Sequence, residues 1–309
     1  MSSTTLNFPA PASAATTTPL RLSEQARPIP AALGQRRLWF LEQMEPGSPL
    51  YNIPYLVRLS GPLNEPALDR ALGAVVERHE ALRTNFIAIN SEPTQVIKTS
   101  WSLDLPLTDL LTIPAPEREA ELKRLTIEEA KKPFDLQKDL MLRVRLYRLS
   151  ETEHALMLVM HHIASDGWSM AVLYRELGAC YEAFANNRLP DLPELPIQYA
   201  DFAEWQREYL QGETLEKLIA YWKKQMTGSP ALLELPTDHA RPPLQSHRGD
   251  CVQIRLPAEL VTNLKKVSAQ QRVTFFMTLL AGFQAVLQRY TGQHDIVVGS
   301  PLAGRDCAE

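Results

Sequence analysis

The chain has 309 residues, room for two lobes, because single hydrophobic cores stop growing near about 250–300 residues. Hydrophobic residues make up 45% and charged residues 22%, which excludes disorder over most of the length. Lys and Arg number 32 against 36 Asp and Glu, and a net charge of −4 argues against a chain built to grip nucleic acid or an anionic membrane.

Three cysteines, Cys180, Cys251 and Cys307, lie far apart with no C-x-x-C pair. That spacing favours neither a disulfide framework nor a structural zinc site and fits a reducing compartment. The longest strongly apolar run, residues 273–283, is broken by Thr274 and Thr278 and is too short to span a bilayer. The first basic residue is Arg21, so the charged start of a secretory signal is missing. The expected location is the cytoplasm.

Residues 1–27 are dominated by Ser, Thr, Ala and Pro and read as a disordered tail. A helix is expected over residues 31–44. Asn64 is placed to cap a second helix that carries Leu68, Ala71, Leu72, Val75, Val76, His79 and Leu82 at spacings of three and four. A further helix is expected over residues 117–132. Residues 141–149 alternate, with Leu142, Val144 and Leu146 on one face of a strand and Arg143, Arg145 and Tyr147 on the other. A polar turn leads into the apolar run 155–160, the pattern of a strand covered on both faces. After Gly167, the positions of Met170, Leu173, Leu177, Cys180, Tyr181 and Phe184 predict another helix.

Pro190, Pro193 and Pro196 make residues 188–196 the strongest internal boundary signal. It separates an N-terminal lobe, residues 28–188, from residues 189–309. Beyond it, helices are expected near residues 199–210, 215–226, 259–271 and 274–290, with strands near 252–256 and 296–298.

The end of a buried strand aims side chains rigidly, and His161-His162-Ile163-Ala164-Ser165-Asp166-Gly167 sits there. Neighbouring strand residues point to opposite faces, so the two histidines are poorly placed to share a metal; one can face a cleft while the other packs inward. A histidine with a pKa near about 6.5 can take a proton from an amine or hydroxyl nucleophile. Asp166 can orient the imidazole or pair with an arginine. Gly167 leaves room for close backbone approach, and its N–H opens a helix, which favours a developing oxyanion. An arbitrary His-His pair is more often structural than catalytic, and no G-x-S-x-G elbow supports a serine hydrolase.

That seven-residue run resembles the H-H-x-x-x-D-G signature of the condensation domains of nonribosomal peptide synthetases. Gly34-Gln35-Arg36-Arg37-Leu38-Trp39-Phe40-Leu41 resembles the family's first core motif, and Arg78-His79-Glu80-Ala81-Leu82-Arg83-Thr84-Asn85-Phe86 its second. Tyr199-Ala200-Asp201-Phe202-Ala203-Glu204-Trp205-Gln206 is similar to the fourth, and Val298-Gly299-Ser300-Pro301-Leu302-Ala303-Gly304-Arg305 to the fifth. Pro133-Phe134-Asp135-Leu136 and Leu235-Pro236-Thr237-Asp238 are also in the family style.

The resemblance implies an α/β, two-lobed fold similar to chloramphenicol acetyltransferase, with the active site between lobes. It implies donor and acceptor thioesters delivered on the phosphopantetheine arms of two peptidyl carrier proteins, an adjacent adenylation domain, and no cofactor bound by the chain itself. By position His162 matches the family's catalytic histidine. His161, Asp166 and Gly167 match residues that shape the site, and Arg78, Arg83 and Arg305 are candidates to neutralise Asp166. Trp39, Phe40 and Leu41 are expected in the core, and His79 as a satisfied structural histidine. Relatives that form heterocycles carry aspartates where this chain has His161 and His162, so cyclisation is disfavoured. The family continues past the fifth motif, so the N-terminal lobe is expected to be complete and the C-terminal lobe incomplete. Two other readings stay open: an ester-forming acyltransferase of the same superfamily, and a fragment that binds carrier proteins without catalysis.

Overall fold

Two sheets organise the first part of the chain. In the computed structural model, which describes residues 29–240, 242–243, 249–250 and 252–300, the smaller sheet is built from β1 (Ile29–Pro30), β3 (Thr84–Ile89) and β4 (Glu92–Ile97) in the order β1-β4-β3. The larger contains β2 (Asn52–Ser60), β5 (Leu107–Asp109), β6 (Leu142–Arg148) and β7 (Glu153–His161) in the order β2-β7-β6-β5. Among the described residues only the β5–β6 pairing is parallel. The helices are α1 (Leu33–Met44), α2 (Glu65–Arg78), α3 (Arg118–Ala130), α4 (Gly167–Ala185) and α5 (Tyr199–Tyr209), with a 3₁₀ turn at Glu80–Arg83.

The expected hairpin forms, with Leu142 opposite Met160 and Arg148 opposite His154. Its period-two pattern feeds two cores. Leu142, Val144, Leu146, Leu156, Leu158 and Met160 pack with α2 and α4. Tyr147, Ala155, Met157 and Val159 pack on the other face with Leu38 of α1, Leu122 of α3, and Phe134 and Leu136 of the loop that follows. Both faces of β7 are therefore dry, which is why its sequence reads as an unbroken apolar run. Asn64 caps α2 as expected, accepting the Ala67 N–H at 3.1 Å, and the helix buries Leu68, Ala71, Leu72, Val75 and Val76. His79 and Leu82 fall just beyond it, at its C-cap and in the 3₁₀ turn.

Strand β2 is absent from the sequence expectation because Pro54 interrupts its alternating Ile53, Tyr55, Val57 and Leu59. The strand lies at the sheet edge, where a missing N–H can face away from the ladder. In the first core motif, Trp39 packs against the second core and Leu41 is half-buried, but Phe40 is 58% exposed. The buried stripe of α1 runs through Gln35 and Leu38, and two residues further on the helix has turned Phe40 to the outside.

The described chain divides into two compact units, residues 29–211 and 212–300. Helix α5 follows the Pro-rich crossing and packs within the first, where its Gln206 Oε1 accepts the Leu33 N–H at 2.9 Å. The second unit contains α6 (Gly212–Met226), α7 (Ala258–Gln271) and α8 (Phe275–Thr291), close to the expected bounds. α7 and α8 form a helical hairpin in which Ser268 and Thr278 hydroxyls meet at 2.7 Å and Thr274 caps α8. The expected strands near residues 252–256 and 296–298 do not form. Both segments have the right composition but no ladder partner among the described residues, and a lone strand leaves its backbone groups unpaired. Among the described residues no helix is long and apolar enough to cross a membrane.

Candidate active site

The signature run begins at the last residue of β7. His161 pairs with Asn52 in the ladder, is only 2% exposed, and lies edge-on to Phe134 (5.8 Å between ring centroids) and to Tyr51 (6.4 Å). Its Nδ1 accepts the Ile163 N–H at 3.1 Å, which fixes the neutral tautomer with the proton on Nε2. Burial, and then the charges of His162 and Arg143, pull its pKa down to about 4. His161 is therefore an uncharged structural group at neutral pH.

His162 is exposed. Its N–H still reaches the Tyr51 carbonyl at 2.9 Å, one rung past the ladder. The chain then turns, with the Ala164 N–H (3.0 Å) and the Ser165 hydroxyl (3.2 Å) both bonded to the His161 carbonyl. Asp166 caps α4: Oδ1 accepts the Ser169 N–H at 2.8 Å and the Ser169 hydroxyl at 2.7 Å. Gly167 is the first residue of α4, has no left-handed backbone, and a Cβ there would meet nothing within 4 Å of it. The fold itself does not require this glycine. Open space at a helix N-terminus, where backbone N–H groups lack partners, suits the close approach of a carbonyl oxygen.

Of the arginines expected to neutralise Asp166, two have other partners. Arg78 Nε contacts Glu176 Oε2 at 3.1 Å, and Arg83 donates to the carbonyls of Lys98 (2.7 Å) and Glu77 (3.2 Å). Arg305 lies outside the described residues. His79 is satisfied as expected, its Nε2 at 2.6 Å from the same Glu176 oxygen. Glu176 is the site residue that sequence reasoning missed. The signal was present, since an acidic side chain interrupts the apolar stripe of α4 between Leu173 and Cys180.

A cavity of about 460 Å³ opens beside the signature. Met160, Ser165, Trp168, His79, Tyr199 and Phe202 are among its lining, so the second and fourth motifs meet the signature there, while His162 itself does not line it. Among the described residues no cluster of three or more His, Cys, Asp and Glu side chains is placed to hold a metal ion.

Two measurements check this geometry. As an acceptor at the start of α4 Asp166 has a role that Asn also fills, so Asp166→Asn should lose less melting temperature than Asp166→Ala, which should cost about 1 kcal/mol. Equal losses in both would place the aspartate's weight on its charge. His161 has a folded pKa below its unfolded value, so the unfolded chain takes up its proton first. Stability from this group is complete above about pH 6.5 and falls as pH drops toward about 4, by about 3 kcal/mol in all. Denaturation midpoints across that window, compared with His161→Asn, which keeps an acceptor but no titrating ring, should differ in slope.

Comparisons with known proteins identify the family. The family model "Condensation domain" matches residues 25–309. The chain is 48% identical over 281 residues to a linear gramicidin synthase polypeptide of Brevibacillus parabrevis, covering 91% of this chain but only 4% of that protein. Among solved structures it resembles the X-domain from teicoplanin biosynthesis, with a TM-score of 0.76 and 30% identity over 88% of this chain and 59% of that one. It also resembles the SgcC5 protein from Streptomyces globisporus, with a TM-score of 0.69 and 30% identity over 90% of this chain and 64% of that one. The chain thus spans a small part of the synthetase it matches and about three-fifths of these structural neighbours. A model match across nearly the whole length, on the fold and motif geometry described above, places this α/β chain in the condensation domain family of nonribosomal peptide synthetases.

Proposed function

We propose that the chain joins two carrier-bound thioesters through an amide bond. The acceptor's amine nitrogen attacks the donor's thioester carbonyl; the new C–N bond forms as the C–S bond breaks, and the donor acyl or peptidyl group moves onto the acceptor. His162 takes the proton that the amine loses, and that proton ends on the departing thiolate. Gly167 leaves space for the carbonyl oxygen at the start of α4. His161 and Asp166 hold the turn between them, and Arg78, bonded with His79 to Glu176, holds the wall of the cavity beside it.

The observation that carries this reading is the division of labour at the end of β7: one histidine sealed and neutral, the next exposed beside a capped helix N-terminus. A histidine left accessible on a rigid strand end can approach a nucleophile in a fixed direction. The partners are a donor and an acceptor peptidyl carrier protein, each presenting its substrate on a phosphopantetheine arm, and an adjacent adenylation domain that supplies them.

A second reading is supported by the likeness to SgcC5, whose crystal structure contains a naphthyl 1,2-ethanediol. In that reading the acceptor is a free alcohol and the product an ester. One experiment separates the two. The chain is mixed with a donor carrier loaded with an acyl thioester and offered either an aminoacyl acceptor carrier or a free alcohol, and products are read by mass spectrometry. An added acyl mass on the acceptor arm supports amide formation, and an ester from the alcohol alone supports the second reading. Carrier binding without either product identifies a binding module.

A further inference from the structure

The loop after α3 carries Phe134, whose ring makes a T-shaped contact with His161. Arg143 on β6 holds that loop. Its guanidinium lies over the Phe134 ring at 3.9 Å from the centroid and donates to the carbonyls of Pro133 (2.9 Å) and Lys132 (2.6 Å). Glu129, buried at the end of α3, sits 3.3 Å from Arg143 Nε and 2.6 Å from Arg145 Nε. Asn52, the ladder partner of His161, grips the same loop through Ala130 (2.8 Å) and Lys132 (2.7 Å) carbonyls. Phe134 therefore stands between two fixed bodies, with little freedom to tilt.

The backbone on either side of His162 depends on what Phe134 touches. The His162 N–H is held by the Tyr51 carbonyl, and the next N–H, that of Ile163, is held by the imidazole of His161. The His161 ring makes T-shaped contacts with two aromatic neighbours, Tyr51 and Phe134. If that ring turns, the Ile163 N–H loses its acceptor one residue after the exposed histidine.

The geometry points to Phe134, clamped beneath Arg143, as a positioning residue that fixes the ring of His161 and through it the direction in which His162 leaves the strand. A guanidinium over an aromatic face attracts it electrostatically, and the planar fork fastens the loop at the same time. Neither a lysine nor an aliphatic side chain performs both tasks. This inference rests on the catalytic role proposed for His162, and its test has a readout that does not.

Histidine-labelled chain is followed by NMR for the tautomer of His161, alongside steady-state kinetics with loaded carriers. In the unmodified protein His161 should carry its proton on Nε2; a proton on Nδ1 would overturn the inference without any variant. Arg143→Met and Phe134→Leu should each admit the other tautomer, shift the His162 ring signals, and lower kcat by at least tenfold with KM for both carriers unchanged. Arg143→Lys, which keeps a cation near the ring, should recover part of both effects. An unaltered His161 tautomer in well-folded Arg143→Met and Phe134→Leu proteins would reduce Phe134 to core packing. Failure of the proposed reaction would appear differently, as absent condensation by the unmodified chain with the His161 tautomer as expected.

Discussion

His162→Ala should lower amide formation by about 10²–10⁴-fold, the usual worth of a positioned proton acceptor. The side chain is exposed and its imidazole has no packing role that alanine would destroy, so the melting temperature should stay near that of the unmodified protein. The loss should fall on kcat rather than on KM for either carrier, because proton transfer belongs to the transition state and not to docking. His161→Ala makes the contrast. That substitution empties a buried position between Phe134 and Tyr51 and removes the acceptor for Ile163, so it should cost stability first. Turnover is measured with two loaded carriers, and unfolding is followed in parallel. Turnover of His162→Ala within a fewfold of the original would show that proton transfer is not limiting.

The sequence foretold the parts of this site governed by local rules. Alternation along residues 141–149 located β6, and the apolar run after it located β7 and hence the strand end that bears the histidines. Capping chemistry located the start of α2. Long-range pairing was hidden. Nothing near Phe134 or Arg143 in the sequence announces that they meet beside His161, because one lies in a loop and the other reads as the polar face of a strand. The same holds for β2, whose proline is tolerated only because the strand lies at an edge. Opposite charge alone points Arg78 and Arg83 toward Asp166; Glu176 stands out as an acid in the apolar stripe of α4, but nothing in the spacing pairs it with Arg78, 98 residues away.

Glu176→Ala should be among the most destabilising single changes in the first unit. The carboxylate is 5% exposed and joins α2 to α4 through contacts with both Arg78 Nε and His79 Nε2. Removing it strands Arg78, itself only 17% exposed, with the Pro193 carbonyl left to receive its guanidinium. Breaking a buried ion pair from one side costs about 3–5 kcal/mol, because the other charge stays desolvated. In a domain of this size that corresponds to a melting temperature lower by on the order of 10 °C. Glu176→Gln keeps an acceptor and should cost less. The double variant Arg78→Met with Glu176→Leu fills the same space without charge and should regain most of the loss, since apolar replacement of a buried pair is often neutral. The effect also reaches the cavity beside the signature, because His79 lines its wall and Gln198, which lines it too, bonds the Arg78 carbonyl at 3.0 Å. Nearby Cys180 reports the same environment: burial, then the Glu176 charge, push its thiol pKa up against the opposing pull of Arg78. With Glu176 removed, Cys180 should react faster with a thiol reagent at neutral pH, both because one cause of its raised pKa is gone and because α2 and α4 are less firmly joined. Chemical denaturation and thiol labelling of the original chain and these three variants decide the matter. A loss under about 0.5 kcal/mol for Glu176→Ala, the range of an ordinary surface change, with unchanged labelling of Cys180, would show that the two helices are held by their apolar faces alone.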